Sequence, residues 1–177
     1  MKYLKEYNSY NDVESICEEY GIKNYTINTD GSIDVDGDVD LRRKKLKNLP
    51  LNFNKVTGGF YCSGNQLTSL EGCPKSVGGG FYCLNNQLTS LEGCPKEVGN
   101  FYCNSNQLTS LKGCPKEVGG DFLCYNNLLP KLIMDNIKYI DGIIKWQDDY
   151  SIWRKDGSLD EFRFNDMMID VKNDPYL

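Results

Sequence analysis

The chain holds eight cysteines and no histidine, and these two facts bound the chemistry open to it. Without an imidazole, Ser-His-Asp and Cys-His hydrolysis, HExxH zinc chemistry and a histidine general base are excluded. Seven cysteines fall into two columns. Cys62, Cys83, Cys103 and Cys124 form one; Cys73, Cys94 and Cys114, each before a proline, form the other; Cys17 stands apart. They make no C-x-x-C pair, and successive members of the two columns are 9 to 11 residues apart. Column members on adjacent strands would lie about 5 Å apart, close enough to share a thiolate-bound metal. The simpler reading is a small apolar side chain used repeatedly in a core. A reactive cysteine also needs a base or a cationic setting, and none stands beside these. Asp34, Asp36, Asp38 and Asp40 alternate with apolar residues. An EF-hand wants glycine at its sixth position and a distant glutamate, and neither occurs. The four acids read as the solvated face of a strand, where charge discourages stacking by another chain. Catalytic residues, metal and cofactors are all expected to be none, and the chain is read as not an enzyme.

The remaining residue types suit binding. Tyr61, Tyr82, Tyr102 and Leu123 each sit between a phenylalanine and a cysteine. If the phenylalanine and cysteine point inward, period two turns these four outward. Ser63, Leu84, Asn104 and Tyr125 flank them on the same side, and this flank varies while the inward columns barely change. Variation inside a fixed frame is what a binding surface needs, and tyrosine offers large area and a hydroxyl at little entropic cost. Arg42, Arg43, Lys44 and Lys45, within the run RRKKLK, form a basic patch suited to an acidic partner. Residues 1–37 hold three bases against eight acids, 38–129 ten against seven, and 130–177 seven against ten. The whole chain has a net charge of −5, which argues against general nucleic-acid binding.

What must position these residues is a repeat. FYCSGNQLTSLEGCPKSVGGG (60–80), FYCLNNQLTSLEGCPKEVGN (81–100) and FYCNSNQLTSLKGCPKEVGGD (101–121) align, a fourth copy opens with FLCYNNLL at Phe122, and a weaker one, VDLRRKKLKNLPLNFNKVTGG, precedes them at 39–59. The period of 20 or 21 residues suits one coil of a solenoid. Phe60, Phe81, Phe101 and Phe122 lie two before Cys62, Cys83, Cys103 and Cys124; Leu67, Leu88, Leu108 and Leu129 follow, then Leu70, Leu91 and Leu111, and Val56, Val77, Val98 and Val118 complete the ring. Stacked coil on coil, these columns predict one continuous core. Asn65, Asn86, Asn106 and Asn127 occupy a column of their own, with Lys44 in that place in the weak copy. A buried amide there can donate to and accept from the backbone of neighbouring turns. The asparagines are expected to be a structural ladder.

A solenoid needs caps. The segment 11–20 reads as a helix with Val13, Ile16 and Cys17 on one face and Gly21 as its stop. YTINTDGSIDVDGDVDL alternates and turns at Asp30-Gly31 and Gly37, which predicts a hairpin leading into the first coil. After the repeats, Pro130 opens a helix expected to run to about Trp146, with Leu132, Ile133, Ile137, Ile140, Ile143 and Ile144 as its stripe. Ser158 and Glu161 read as the capping box of a second helix carrying Leu159, Phe162, Met167, Met168 and Val171. Trp146 and Trp153 are expected to pack against that helix. The predicted organisation is a cap at 1–37, about five coils at 38–129 and a helical cap at 130–177. The opening MKYLKEYNSYNDVES lacks a signal-peptide core, and no stretch approaches the roughly 18 apolar residues of a membrane span. A cytoplasmic protein with reduced thiols and no membrane contact is expected.

The unit F-x-C-x-x-N-x-L-x-x-L resembles the leucine-rich repeat over 39–129, with F-x-C in the usual L-x-L place. The resemblance implies an α/β solenoid of parallel strands and a protein-binding scaffold. With YTINTDGSIDVDGDVDL before it and LPKLIMDNIKYI, WQDDYSIW and DGSL after it, the chain is similar to a group of small leucine-rich repeat proteins of tailed bacteriophages. That resemblance implies a non-enzymatic module that binds a host bacterial protein, and by analogy an inhibitor of an antiviral defence component. The alternatives are a structural or virion-associated protein that self-associates through its caps, and a nucleotide- or ligand-sequestering protein using the tyrosine column beside Arg42 and Arg43.

Overall fold

The computed structural model of the chain describes residues 12–175. Helix α1 covers 12–20, and Asn11, the expected start of this helix, lies outside the described residues. Strands β1 (Tyr25–Ile27) and β2 (Ile33–Val35) form the expected antiparallel hairpin, with Gly31 at φ 81° in its turn. The chain then alternates between two sides of a coil: β3 (Val39–Asp40), β4 (Phe53–Val56), β5 (Phe60–Tyr61), β6 (Ser76–Val77), β7 (Phe81–Tyr82), β8 (Glu97–Val98), β9 (Phe101–Tyr102), β10 (Glu117–Val118) and β11 (Phe122–Leu123). Stacked parallel strands make a β-solenoid of about four turns, with helices at its C-terminus.

One face is an unbroken five-stranded sheet in the order β11-β9-β7-β5-β3. Its register sets Phe60 beside Phe81, and Phe101 beside both Phe81 and Phe122. Phe60, Phe81 and Phe101 are fully buried, and their rings stack at centroid separations of 5.5 and 6.0 Å. The valine, cysteine and leucine columns close around them into one core. Apolar burial at about 25 cal/mol per Å2 rewards this arrangement only if adjacent coils keep register, because each ring fills the space above the next.

The asparagine column holds that register. Asn86 Nδ2 donates to the carbonyls of Cys62 and Cys83, both at 3.0 Å, while its Oδ1 accepts the Leu67 amide at 3.0 Å. Asn106 repeats this with Cys83, Cys103 and Leu88, and Asn127 with Cys103, Cys124 and Leu108. Asn65 differs at the weak first copy, where its Oδ1 accepts two amides, of Lys44 and Leu46. Each side chain thus satisfies backbone groups of two coils that would otherwise be buried unpaired.

The other face is interrupted. Its strands pair as β1-β2-β4-β6 and separately as β8-β10. Gly78 donates to Val56 and Gly119 to Val98, but between these coils Gly99 donates to Gly79. Only two residues separate Val98 from Phe101, where three separate Val56 from Phe60, Val77 from Phe81 and Val118 from Phe122, and this shortening shifts the chain and splits the sheet.

The C-terminal cap departs from the sequence reading in two places. The helix expected from Pro130 to Trp146 is broken into α2 (Lys131–Asp135), a 3-10 turn (Ile137–Tyr139) and α3 (Ile140–Trp146). Asn136 Nδ2 donates to the Leu132 carbonyl at 2.9 Å, and the residue sits at ψ 17°. A side chain takes the carbonyl that the helix would have used. The second cap helix, α4 (Glu161–Asn173), starts on Asp160, whose carboxylate accepts the Arg163 amide at 3.2 Å. Ser158 is not its cap, because its amide and hydroxyl are both committed to Asp156 in the preceding turn. Inside the cap, Trp153 Nε1 donates to Gln147 Oε1 at 2.6 Å, and Gln147 Nε2 donates to Cys114 Sγ at 3.1 Å. This buried chain of contacts fastens the cap to a coil. No helix among the described residues is long and apolar enough to cross a membrane.

Phe101→Ala should cost about 3–5 kcal/mol, and Asn106→Leu about 1–3 kcal/mol by leaving backbone groups unpaired. Urea unfolding of each variant measures both, and a midpoint equal to that of the parent would contradict this packing.

Candidate functional site

The outward face of the five-stranded sheet carries the tyrosines. Tyr61, Tyr82 and Tyr102 are each half-buried, in register across β5, β7 and β9. Strand spacing brings their rings together. Tyr61 and Tyr82 lie parallel at 4.8 Å with an interplanar angle of 2°, and Tyr102 meets Tyr82 edge-on at 5.0 Å. The Arg42 guanidinium covers the Tyr61 ring at 5.1 Å and pairs with Asp40 through Nε and one terminal nitrogen, at 2.9 and 2.6 Å. Burial pushes the Tyr61 phenol above its ordinary value, and the nearby Asp38 charge adds to this. At the other end, the Tyr102 hydroxyl donates to Asp121 at 3.1 Å, and that bond pushes the Tyr102 phenol up.

The rings lean back over the residues just before each phenylalanine. A methyl group added to Gly80 would stand 2.5 Å from the Tyr82 hydroxyl oxygen, and one on Gly59 would stand 2.7 Å from that of Tyr61. Glycine lets the two rings lie close here, where a side chain would push the ring end aside. In the later coils Asn100 and Asp121 take this place, and Asn100 Oδ1 accepts the Asp121 amide at 2.8 Å. Sequence reasoning missed this column. Its signal was the run of glycines ahead of the first two F-Y-C units, which reads equally well as a turn.

Leu84 and Leu123 are half-buried on the same face, and Tyr125 is 48% exposed. Asn104 corrects the sequence reading: it is 3% exposed and is not displayed. The backbone bonds from Asn85 to Asn104 and from Ser105 to Tyr125 place it between the coils of Leu84 and Tyr125. Its Oδ1 accepts no hydrogen bond among the described residues. In the basic patch, Arg43, Lys44 and Lys45 are exposed, but Arg42 is neutralised by Asp40 and belongs to the tyrosine stack.

The aspartates of the first coil are engaged with the second. Asp34 accepts from Asn54 and Asn28, Asp36 from the Thr57 hydroxyl, and Asp38 from the Gly59 amide at 2.7 Å. The amide donors, Asn54 first, hold the Asp34 carboxyl below its ordinary value. Among the described residues, no group of three or more cysteine, aspartate or glutamate side chains is arranged to hold a metal ion. A groove of about 850 Å3 lies on the opposite side of the coil, between Val98 and Val118 and the α3 residue Ile144. It is an open surface whose lining includes Glu97, Lys116, Glu117, Asp141 and Lys145, and none of the tyrosines lines it. No family model, curated protein or solved structure matches the chain.

The thiols are chemically muted. Burial pushes Cys62 and Cys114 up to about 12 and Cys124 up to about 11, and carries Cys73, Cys83, Cys94 and Cys103 well above the ordinary thiol range. An unfolded thiol titrates near about 8.5. Between these values the folded chain binds more protons than the unfolded one, so its stability falls as pH rises. The stabilisation is complete below about pH 8 and is lost progressively toward pH 11–12. Urea unfolding at pH 7 and at pH 10 should show the loss, and the double variant Cys62→Ala/Cys83→Ala should lose less. Equal slopes in variant and parent would contradict the account.

Proposed function

We propose that this chain is a non-enzymatic protein-binding module of the leucine-rich-repeat kind, acting through the outward face of its five-stranded sheet. The observation that carries the reading is the half-exposed stack of Tyr61, Tyr82 and Tyr102, flanked by Leu84, Leu123 and the exposed Tyr125. It offers aromatic edges and hydroxyls on a rigid ladder, so little side-chain entropy is lost on contact. Arg43, Lys44 and Lys45 at one end would steer an acidic partner. The resemblance to small phage proteins supports a host bacterial protein as the partner, met in the cytoplasm, and inhibition of a defence component as the consequence.

The ring geometry weighs against sequestration of nucleotides by stacking. Both faces of Tyr61 are taken, one by Arg42 and one by Tyr82, and the second face of Tyr82 meets the edge of Tyr102. A base would have to displace these contacts before it could stack.

The double variant Tyr82→Ala/Tyr102→Ala should weaken binding of the partner recovered by the parent protein at least tenfold. The stability cost should be only about 0.5–1.5 kcal/mol per lost ring pair. Affinity capture followed by a titration of the identified partner measures the first, and urea unfolding the second. Undiminished affinity in a folded double variant would sink the tyrosine face as the binding surface.

A further inference from the structure

Each coil donates upward to the next. Phe101 gives its amide hydrogen to the Asp121 carbonyl, Cys103 to Leu123 and Ser105 to Tyr125, at 2.8 to 2.9 Å. The same positions in the last coil are Phe122, Cys124 and Asn126. Parallel pairing turns these amides away from β9, and they donate to no acceptor among the described residues. Cys124 is only 3% exposed, so its unpaired amide is costly. The Phe122 ring is partly exposed where its counterparts Phe60, Phe81 and Phe101 are sealed. Beside it, Tyr125 is 48% and Leu128 67% exposed. The C-terminal cap does not treat the two sheets alike: α3 packs against β10, the end strand of the other face, whereas β11 remains the open edge of the five-stranded sheet.

We propose that the β11 edge is a second binding site, which takes an extended segment of another protein as a sixth, parallel strand. The repeat itself prescribes the occupant. It must offer carbonyls to Phe122, Cys124 and Asn126, a large apolar side chain over the partly exposed Phe122, and two residues later only a small one, because Cys124 is already sealed. Between these two, an aromatic or aliphatic residue extends the column that ends at Leu123. A second copy of this chain is the poorer occupant. The side chains of its β3 coil are already sealed, with Val39 and Leu41 at 0% exposure, and cannot be laid over Phe122 and Cys124. The C-terminal segment 130–177, with ten acids against seven bases, favours a segment flanked by basic residues. Strand addition of this kind draws affinity from the backbone and specificity from alternate side chains.

The probe is a synthetic peptide of residues 99–110 with one lysine added at each end, kept reduced and titrated into the whole protein. In the repeat's register the peptide tyrosine turns its amide toward Phe122, and the peptide phenylalanine turns its amide away. Saturable binding is expected, at least tenfold weaker when the tyrosine is N-methylated and within twofold of the parent peptide when the phenylalanine is. Cys124→Pro, which removes an amide that no internal bond uses, should abolish binding. If that variant fails to fold, the pair of methylated peptides still decides. No binding at millimolar peptide, equal loss from both methylations, or head-to-tail stacking of the protein that displaces the peptide would each overturn the proposal.

Discussion

The structure depends on one constraint: adjacent coils must stand in register along the asparagine ladder. Asn86 and Asn106 each bind the carbonyls of two successive cysteines and the amide of a leucine in the coil before. A slip of one residue would unpair three buried groups per coil and turn the phenylalanines outward. The ladder and the apolar core therefore enforce each other. The phenylalanines reward stacking in general, and the asparagines select one stacking. The tyrosine geometry is a by-product of that selection. Tyr61 and Tyr82 lie 4.8 Å apart because their strands do. The pairing of Arg42 with Asp40 and the bond from Tyr102 to Asp121 then hold the two ends of the column.

The two faces of the coil show what the ladder contributes. The coils at 39–59, 60–80 and 101–121 have 21 residues and the one at 81–100 has 20, so a single coil is short by one. Along the β3 to β11 face, pinned by the asparagines, the pairing runs unbroken through all five strands. On the opposite face no side-chain ladder holds the backbone through all the strands, and the coil shortened by one residue after Val98 breaks the sheet between β6 and β8. Length variation is thus absorbed on the side away from the tyrosines, while the displayed face keeps its spacing.

Much of this was legible in the sequence because the repeat reports on itself. Four aligned copies expose which positions are fixed, and period two assigns each fixed position a side. The phenylalanine, cysteine and leucine columns needed nothing more. What was not legible lay where a residue acts outside the repeat's pattern. Asn136 breaks the expected cap helix by taking a carbonyl with its own side chain, and nothing in its neighbours announces that. Asp160 caps α4 because Ser158 is already used by Asp156, a competition between two turn-forming residues two positions apart. Asn104 was misplaced for a different reason. Period two gives direction but not depth, and Asn104 is buried at a position that alternation assigns to the outside. The glycines under the tyrosine rings were visible as letters, but their purpose required the rings to be seen leaning over them.

The two ends of the solenoid differ in how they solve the problem every stacked array shares, which is that the last coil leaves its donors open. At the N-terminal end the hairpin of β1 and β2 covers one face, while Asp34, Asp36, Asp38 and Asp40 engage the next coil or its basic neighbour Arg42 and leave a charged rim. At the C-terminal end α3 closes one face, with Trp153, Gln147 and Cys114 joined in the interior. The β11 edge receives neither treatment: it has no hairpin, and Tyr125 and Leu128 stand exposed beside it. Charge at one end and apolar exposure at the other make the array polar in the directional sense. Growth by copies of itself is disfavoured because Val39 and Leu41 of the first coil are already sealed, while the open end keeps the hydrogen-bonding pattern of the repeat. An array that closed both ends alike would display only its tyrosine face; this one also presents an unfinished coil.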